Sequence, residues 1–132
     1  MEEALRSLLV GDATLTGQVG TRISWGRRSQ ATSELPAVVL DRVSAPRDYH
    51  MGGASGLVEA RVQVDCFGLT YGAAKNAARA VMAVINGYSG TVSGTVFQRI
   101  SIESERDYDE QESNAGRYLF VTSIDLLIWH TE

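Results

Sequence analysis

The fold of this chain is decided by residues 56–88, GLVEARVQVDCFGLTYGAAKNAARAVMAVINGY. Its first third alternates apolar and polar side chains, which is the period of a β-strand with one buried face. After Thr70, a favoured N-cap, apolar residues recur at steps of three and four, as in an amphipathic helix. The stretch predicts a strand over residues 57–67 and then the main helix, ending near Asn86 and Gly87. The apolar face of that strand comprises Val58, Ala60, Val62, Val64 and Cys66.

Upstream of this stretch, the sequence predicts two helical segments and two strands. The apolar face of an opening helix is formed by Ala4, Leu5, Leu8 and Leu9. Gly11 ends that helix, and Asp12 is placed to N-cap a second short helix over residues 13–19, so the region is either a helix pair or one broken helix. Residues 23–25 and 37–45 are rich in β-branched or aromatic side chains, so they predict strands separated by a polar loop.

The remaining segments predict two strands and three irregular connections. Residues 47–56 contain three glycines and no period, which predicts a long flexible loop. Residues 89–94 predict a glycine-rich linker. Residues 95–105 and 117–130 predict strands that pair as an antiparallel hairpin through a polar turn at 106–116. The apolar face of the first of these strands is expected to hold Val96, Ile100 and Ile102, and the stripe of the main helix to include Tyr71.

The resulting element order is α-β-β-β-α-β-β, which predicts an α+β fold in a single domain over residues 1–132. An antiparallel or mixed β-sheet with the helices packed on one face satisfies this order with short connections. A length of 132 residues is ordinary for one domain, and 44% apolar with 21% charged residues is a globular composition. One hydrophobic core is expected.

Charge and cysteine content argue against several classes of protein. Twelve basic and sixteen acidic residues give a net charge of −4, which disfavours nucleic acid as the direct ligand, sequence-specific or not. A local basic patch of Arg22, Arg27 and Arg28 stays open beside the alternative of a solvated loop. Cys66 is the only cysteine, so no intrachain disulfide is possible. We expect no membrane span and no signal peptide, and therefore a cytosolic site of synthesis.

No residue pattern marks a catalytic, cofactor or metal site. His50 and His130 are the only histidines, and neither has a partner at the spacing of a zinc site. Gly87, Gly90 and Gly94 follow a helix and precede a strand, which is the reverse of a phosphate-binding loop. No serine lies in a G-x-S-x-G motif. The sequence therefore predicts neither an enzyme nor a cofactor.

One dense acidic run surrounds the predicted turn. Its members are Glu103, Glu105, Asp107, Asp109, Glu110 and Glu112. The run departs from the EF-hand pattern because the glycine and the closing glutamate of that loop are absent. A solvated hairpin tip and an electrostatic partner surface both remain open as interpretations.

The succession of segments resembles the phage tail-completion or tail-terminator family, small proteins encoded among the head-tail joining genes of siphophages and gene transfer agents. The resemblance covers nearly the whole chain. It is carried by residues 1–30 (MEEALRSLLVGDATLTGQVGTRISWGRRSQ), 35–44 (LPAVVLDRVS), 56–88 and 117–130 (RYLFVTSIDLLIWH). The most specific part is EARVQVDCFGLTYGAAKNAARAV, residues 59–81, where a half-exposed strand leads into an alanine-rich helix.

The resemblance implies a structural virion protein at the head-proximal end of the tail, assembled in the host cytoplasm. It implies a hexameric ring that caps the tail tube, ends polymerisation and provides the head-docking surface. The implied partners are further copies of the chain, the tail tube protein and a head-tail connector or stopper protein. Another head-tail connector or minor tail subunit is one alternative. A small ligand-binding or enzymatic domain that uses residues 47–56 as a lid is another.

The resemblance transfers no individual functional residue, so the expected interface rests on loop position and polarity. The expected contact residues are Arg42, Arg47, Asp48, Tyr49, His50, Met51, Arg61, Asp107, Asp109, Glu110 and Glu112. In a ring with head-to-tail contacts, the arginines of one subunit are expected to face the acidic turn of the next. Exposed ion pairs contribute about 0–1 kcal/mol each, so they are expected to set register more than strength.

Overall fold

A computed structural model describes the backbone of residues 1–20, 22–26, 36–44, 47–50, 53–111 and 118–131. Side chains are described at the same positions except 44, 47–50, 53–57, 110–111 and 118. The helices are α1 (Glu2–Val10), α2 (Ala13–Val19) and α3 (Tyr71–Ile85). The strands are β1 (Ile23–Trp25), β2 (Ala37–Ser44), β3 (Arg47–His50), β4 (Gly53–Gly68), β5 (Gly90–Val92), β6 (Thr95–Gln111) and β7 (Tyr118–Thr131).

All of these strands belong to one mixed sheet with the order β1-β2-β4-β7-β6-β5. The pairing of β1 with β2 is parallel, and the other pairings are antiparallel. Val58 of β4 pairs with both His130 of β7 and Arg47 of β3. Because a strand has only two edges, β3 continues along the edge of β4 that β2 occupies. The predicted α+β fold with a mixed sheet is confirmed.

The hydrophobic core lies between one face of the sheet and the three helices. The β4 residues in it are Ala60, Val62, Val64 and Cys66, all of which are buried. From the helices it receives chiefly Leu5, Leu9, Leu15, Val19, Ala77, Ala78, Val81 and Ile85. Alternation along the strand and steps of three and four along the helix place these side chains on facing surfaces. The predicted apolar face of β4 is therefore confirmed.

Two side-chain caps fix where the helices begin. The Asp12 carboxylate accepts a hydrogen bond from Leu15 N (2.9 Å) at the start of α2. The Thr70 hydroxyl accepts one from Ala73 N (3.1 Å) at the start of α3. Each cap satisfies a backbone donor that has no partner within its helix. Both predicted N-caps are confirmed.

Two segments predicted to be irregular contain strands. The predicted flexible loop at 47–56 holds β3 and the start of β4, which form a hairpin whose last pair is His50 with Gly53. The predicted linker at 89–94 holds β5, which pairs with residues 95–97 of β6. Backbone hydrogen bonds to a neighbouring strand hold these segments, so they need no apolar stripe of their own. Met51, in the same predicted loop, lies outside the described residues.

The predicted polar turn beginning at Arg106 is also wrong, because β6 continues to Gln111 opposite Tyr118. The predicted apolar face of β6 is wrong at one end as well. The register of β6 shifts between Phe97 and Arg99, so Phe97 is buried while Val96 is exposed. A β-bulge reverses the sides on which later residues lie, and simple alternation does not anticipate it.

We expect Gly68→Ala to destabilise the chain, because β4 and α3 meet most closely at Gly68. A Cβ there would lie 2.6 Å from Ala74 N and 3.1 Å from Ala73 Cβ. Overpacking of this kind lowers the free energy of unfolding by about 1–3 kcal/mol. Gly72→Ala is the matched control, since a Cβ at Gly72 meets nothing within 4 Å. In the helix it is expected to raise stability by up to about 1 kcal/mol.

The free energy of unfolding of both variants is measured by urea unfolding, with circular dichroism as the signal. If Gly68→Ala unfolds at the same urea concentration as the parent, the close approach of strand and helix is not a constraint.

Candidate interaction surface

The face of the sheet away from the helices carries polar side chains across its centre. Arg106 Nη1 and Ser104 Oγ both donate to Asp125 Oδ2, at 3.0 and 2.8 Å. Arg61, on β4, is exposed, and its side chain has no hydrogen bond or ion pair within the described residues. A depression of about 220 Å³ lies beside it, bordered by Val43, Arg106 and Asp125 among others. An unpaired arginine beside an exposed valine is a feature of contact surfaces.

Arg42 ties the edge of the sheet to the first helix. Its Nη1 lies 2.9 Å from Glu2 Oε1, and the Arg42 side chain remains 47% exposed. The pKa of Glu2 is lowered chiefly by a hydrogen bond to its own backbone and further by the charges of Arg42 and the amino terminus. A half-exposed pair of this kind leaves part of the guanidinium free to meet a partner.

A second cluster of charges joins α3 to β6 and β7. Thr122 Oγ1 and Tyr71 OH donate to the carboxylate of Asp107, at 2.9 and 3.1 Å. Lys75 Nζ lies 3.3 Å from Asp107 and also forms an ion pair with Glu105. The hydrogen bond from Thr122, followed by those from Tyr71 and Lys75, lowers the pKa of Asp107. The pKa of Lys75 is raised first by the hydrogen bond that Lys75 donates to Glu105 and then by the one that it donates to Asp107. Asp107 therefore stabilises the fold of its own subunit.

The structure separates the expected basic and acidic contact residues across the sheet. Arg42 lies on β2 and Arg61 on β4, whereas Asp107, Asp109 and Glu110 lie on β6, beyond β7. The residues of β3 among them are Arg47, Asp48, Tyr49 and His50, of which the structure describes the backbone alone. Asp109 is exposed, and its side chain makes no hydrogen bond or ion pair within the described part of the chain. Glu110 continues β6, and Met51 and Glu112 lie outside the described residues.

The sequence analysis missed the exposed apolar side chains that accompany these charges. Tyr71, expected on the buried stripe of α3, is 52% exposed and packs edge-on against Phe120 with ring centroids 6.5 Å apart. Leu69, in the turn before α3, and Val43, on β2, are exposed as well. Tyr71 is the first residue of α3 and lies at the margin of the sheet, where the helical period of apolar residues does not predict burial. The sequence feature that could have indicated this exposure is the position of Tyr71 at the start of a helix that closely follows a strand.

Within the described residues there is neither a metal-ligand cluster nor a reactive cysteine. They contain no group of three His, Cys, Asp or Glu residues able to hold a metal ion. Cys66 is buried, and this burial raises the pKa of its thiol far above the usual range, so the thiol is protonated and inert. His130 is buried next to Val58 of β4. None of the described helices is both long and apolar enough to cross a bilayer.

Comparison with known proteins gives a family and a likeness to solved structures. The family model described as Tail completion protein gp17 matches residues 3–129. A solved chain from a structure titled "Virion of native gene transfer agent (GTA) particle" superposes with a TM-score of 0.76 at 16% identity. The match covers 100% of this chain and 95% of that chain. At this identity the likeness shows the fold alone. No curated protein matches the sequence.

We expect the loss of the Asp107 carboxylate to destabilise the fold in a pH-dependent way. Folding lowers the pKa of Asp107 below its usual value of 3.8. Its contribution to stability is therefore fully present above about pH 3.8 and is lost as the pH falls through the lower pKa of the folded state. Asp107→Asn should unfold more easily than the parent at pH 7, and this difference should shrink below pH 3.8.

Asp109→Asn is the matched control, because Asp109 has no partner among the described residues. Urea unfolding at a series of pH values measures the free energy of unfolding of the parent, Asp107→Asn and Asp109→Asn. Equal effects of the two substitutions at pH 7 would show that the contacts of Asp107 do not stabilise the fold.

Proposed function

We propose that this chain, which belongs to the Tail completion protein gp17 family, forms a ring that caps a finished tail tube. The family is one of structural virion proteins and not of enzymes. The family match over residues 3–129 is the single observation that carries the proposal, since it spans almost all of the 132 residues. In this role the ring ends polymerisation of the tube protein and presents the surface to which the filled head docks.

The ring is proposed to be hexameric and to be built from head-to-tail contacts. A cap has to match the rotational symmetry of its tube, and a heterologous interface that closes produces a ring. The charge distribution supports contacts between unlike surfaces. Arg61 and Val43 lie toward one side of the sheet, and Asp109 lies on β6 toward the other. Contacts between identical surfaces would bring like charges together, which is unfavourable.

The proposed partners are further copies of the chain, the tail tube protein and the head-tail connector or stopper protein. The proposed place is the head-proximal end of the tail, after assembly in the host cytoplasm. Among the acidic residues of the expected interface, Asp109 is the best probe of the ring contact. Asp107 is occupied by Thr122, Tyr71 and Lys75 of its own subunit, so a change there would alter folding and contact together.

The capping role predicts that the purified chain shortens tail tubes. When the tail tube protein of the same particle polymerises in its presence, we expect tubes of limited length that carry a ring at one end. Without the chain, tubes should grow long and end bare. Electron microscopy of both samples measures the length distribution. An unchanged distribution in the presence of excess chain would contradict the capping function.

The ring contact predicts that Asp109→Lys weakens assembly in a salt-dependent way. Replacing an attraction with a repulsion should weaken the subunit contact by about 3- to 10-fold at low salt. The effect should be smaller at high salt, because exposed charges are screened. Analytical ultracentrifugation at both salt concentrations measures the ring mass.

Two further variants make this test specific. Glu3→Lys changes the net charge equally at an exposed position in the first turn of α1, and it should leave the ring intact. Arg61→Glu combined with Asp109→Lys reverses the charge of both residues in the proposed contact between Arg61 and Asp109. The double variant should therefore restore assembly. If Asp109→Lys assembles like the parent at low salt, Asp109 belongs to an ordinary solvated strand end.

A further inference from the structure

We infer that neighbouring copies join through their backbones: residues 102–107 of β6 pair with β3 of the next copy. The inference rests on the ring proposed above and concerns how its subunits are held together. Strand pairing and side-chain contact between two surfaces give different hydrogen-exchange and crosslinking patterns.

The free edge, defined here as residues 102–107 of β6, is a stretch of sheet edge whose outer side no described strand covers. On its inner side β6 pairs with β7 from Val96 to Gln111. On its outer side β5 covers only residues 95–97, and Ile100 exchanges hydrogen bonds with Gly87 and Tyr88, at 2.9 and 3.1 Å. Beyond Ile100, no described strand pairs with the outer side of residues 102–107. Unpaired N–H and C=O groups in such a row are a template for another strand.

The opposite edge of the sheet, formed by β1, is closed by the first helix. Arg6 Nε donates to Ile23 O at 2.8 Å. Trp25 Nε1 donates to Glu2 O at 3.0 Å, which holds α1 against the same strand. Natural proteins cover or shorten the sheet edges that must not pair. The chain therefore protects β1 and leaves residues 102–107 of β6 accessible.

A second unpaired edge belongs to β3, which is four residues long. It pairs with β4, and no other described strand pairs with it. Strand β1 reaches only residues 38–40 of β2, and no other described strand pairs with the outer side of residues 41–44. Since β3 lies on the β2 side of β4 and the free edge lies beyond β7, the two edges are on opposite sides of the sheet. Two different edges on opposite sides are what a closing head-to-tail contact requires.

Charge favours pairing of these unlike edges over pairing of like edges. The free edge contains Glu103, Glu105 and Asp107 against one basic residue, Arg106. It remains acidic even though Lys75 neutralises part of this charge. Two such edges would bring carboxylates together, and like charges on neighbouring strands destabilise a sheet. Residues 41–50 contain two arginines and two aspartates, so this edge carries no net charge and does not repel the acidic free edge.

Cysteine crosslinking tests the pairing in the full-length chain. Glu103→Cys places a thiol on the free edge at an exposed position, and Asp48→Cys or Tyr49→Cys places one at either of two neighbouring positions of β3. The native Cys66 is buried, so it contributes little background. With a short bis-maleimide, the double variants should give a covalent ladder on a denaturing gel up to the size of the ring. At least one of the two β3 positions should do so.

The control variants separate this geometry from its alternatives. Each single-cysteine variant should give no ladder, and a covalent dimer of Glu103→Cys alone would mean that like edges pair. Glu103→Cys combined with Ser24→Cys, on the closed β1 edge, should also give none. Hydrogen exchange supplies a readout independent of cysteine: amides of residues 102–107 should exchange at least about 10-fold more slowly in the ring than in the isolated subunit.

The outcomes distinguish this inference from the function on which it rests. Rings of the expected mass that give no ladder from either β3 position, with unchanged exchange at residues 102–107, would overturn the strand pairing and leave the ring intact. A chain that stays monomeric, both alone and on tail tubes, would overturn the ring and the pairing with it. Ladders together with slowed exchange support the pairing.

Discussion

The antiparallel pairing of β4 with β7 is the interaction on which the rest of the structure depends. It runs over twelve positions, from Leu57 opposite Thr131 to Gly68 opposite Phe120. The paired residues are far apart in sequence, so the backbone hydrogen bonds and the apolar face have to offset a large loss of chain entropy. Once formed, this ladder provides the surface on which α3 packs and the edges to which β2 and β6 attach.

The charged residues of this chain act in two ways that composition alone does not distinguish. Asp107 faces the start of α3 and is occupied by a tyrosine, a threonine and a lysine of its own subunit. Asp109, two residues later on the same strand, has no partner within the described residues. An acidic run on a virion protein is therefore not a uniform contact surface. Part of it holds the subunit together, and part of it is available to a neighbour.

The sheet edges show a similar division. The β1 edge is covered by α1 through the hydrogen bonds of Arg6 and Trp25, whereas residues 102–107 of β6 are not covered by any described strand. In a protein that acts alone, a long uncovered edge promotes aggregation. In a protein that assembles, the same edge supplies directional contacts, and its acidic side chains restrict which strands can pair with it.

Local patterns in the sequence determined the strand β4, the helix α3 and the caps at Asp12 and Thr70. Each depends on residues a few positions apart, so hydrophobic period and hydrogen-bonding side chains are sufficient to predict it. The same patterns, taken in order, predicted the α+β class and indicated a resemblance to a tail-completion family. The family match over residues 3–129 confirms that resemblance.

Only the tertiary structure decided the parts of the fold held by distant backbone partners. β3, β5 and the extension of β6 to Gln111 consist largely of polar residues and glycine, and they are strands because a neighbouring strand satisfies their N–H and C=O groups. The role of Asp107 was equally hidden, because Tyr71, Lys75 and Thr122 approach it from other elements. Such contacts have no sequence period, since the distance along the chain between the partners is set by the fold and not by the geometry of one helix or strand.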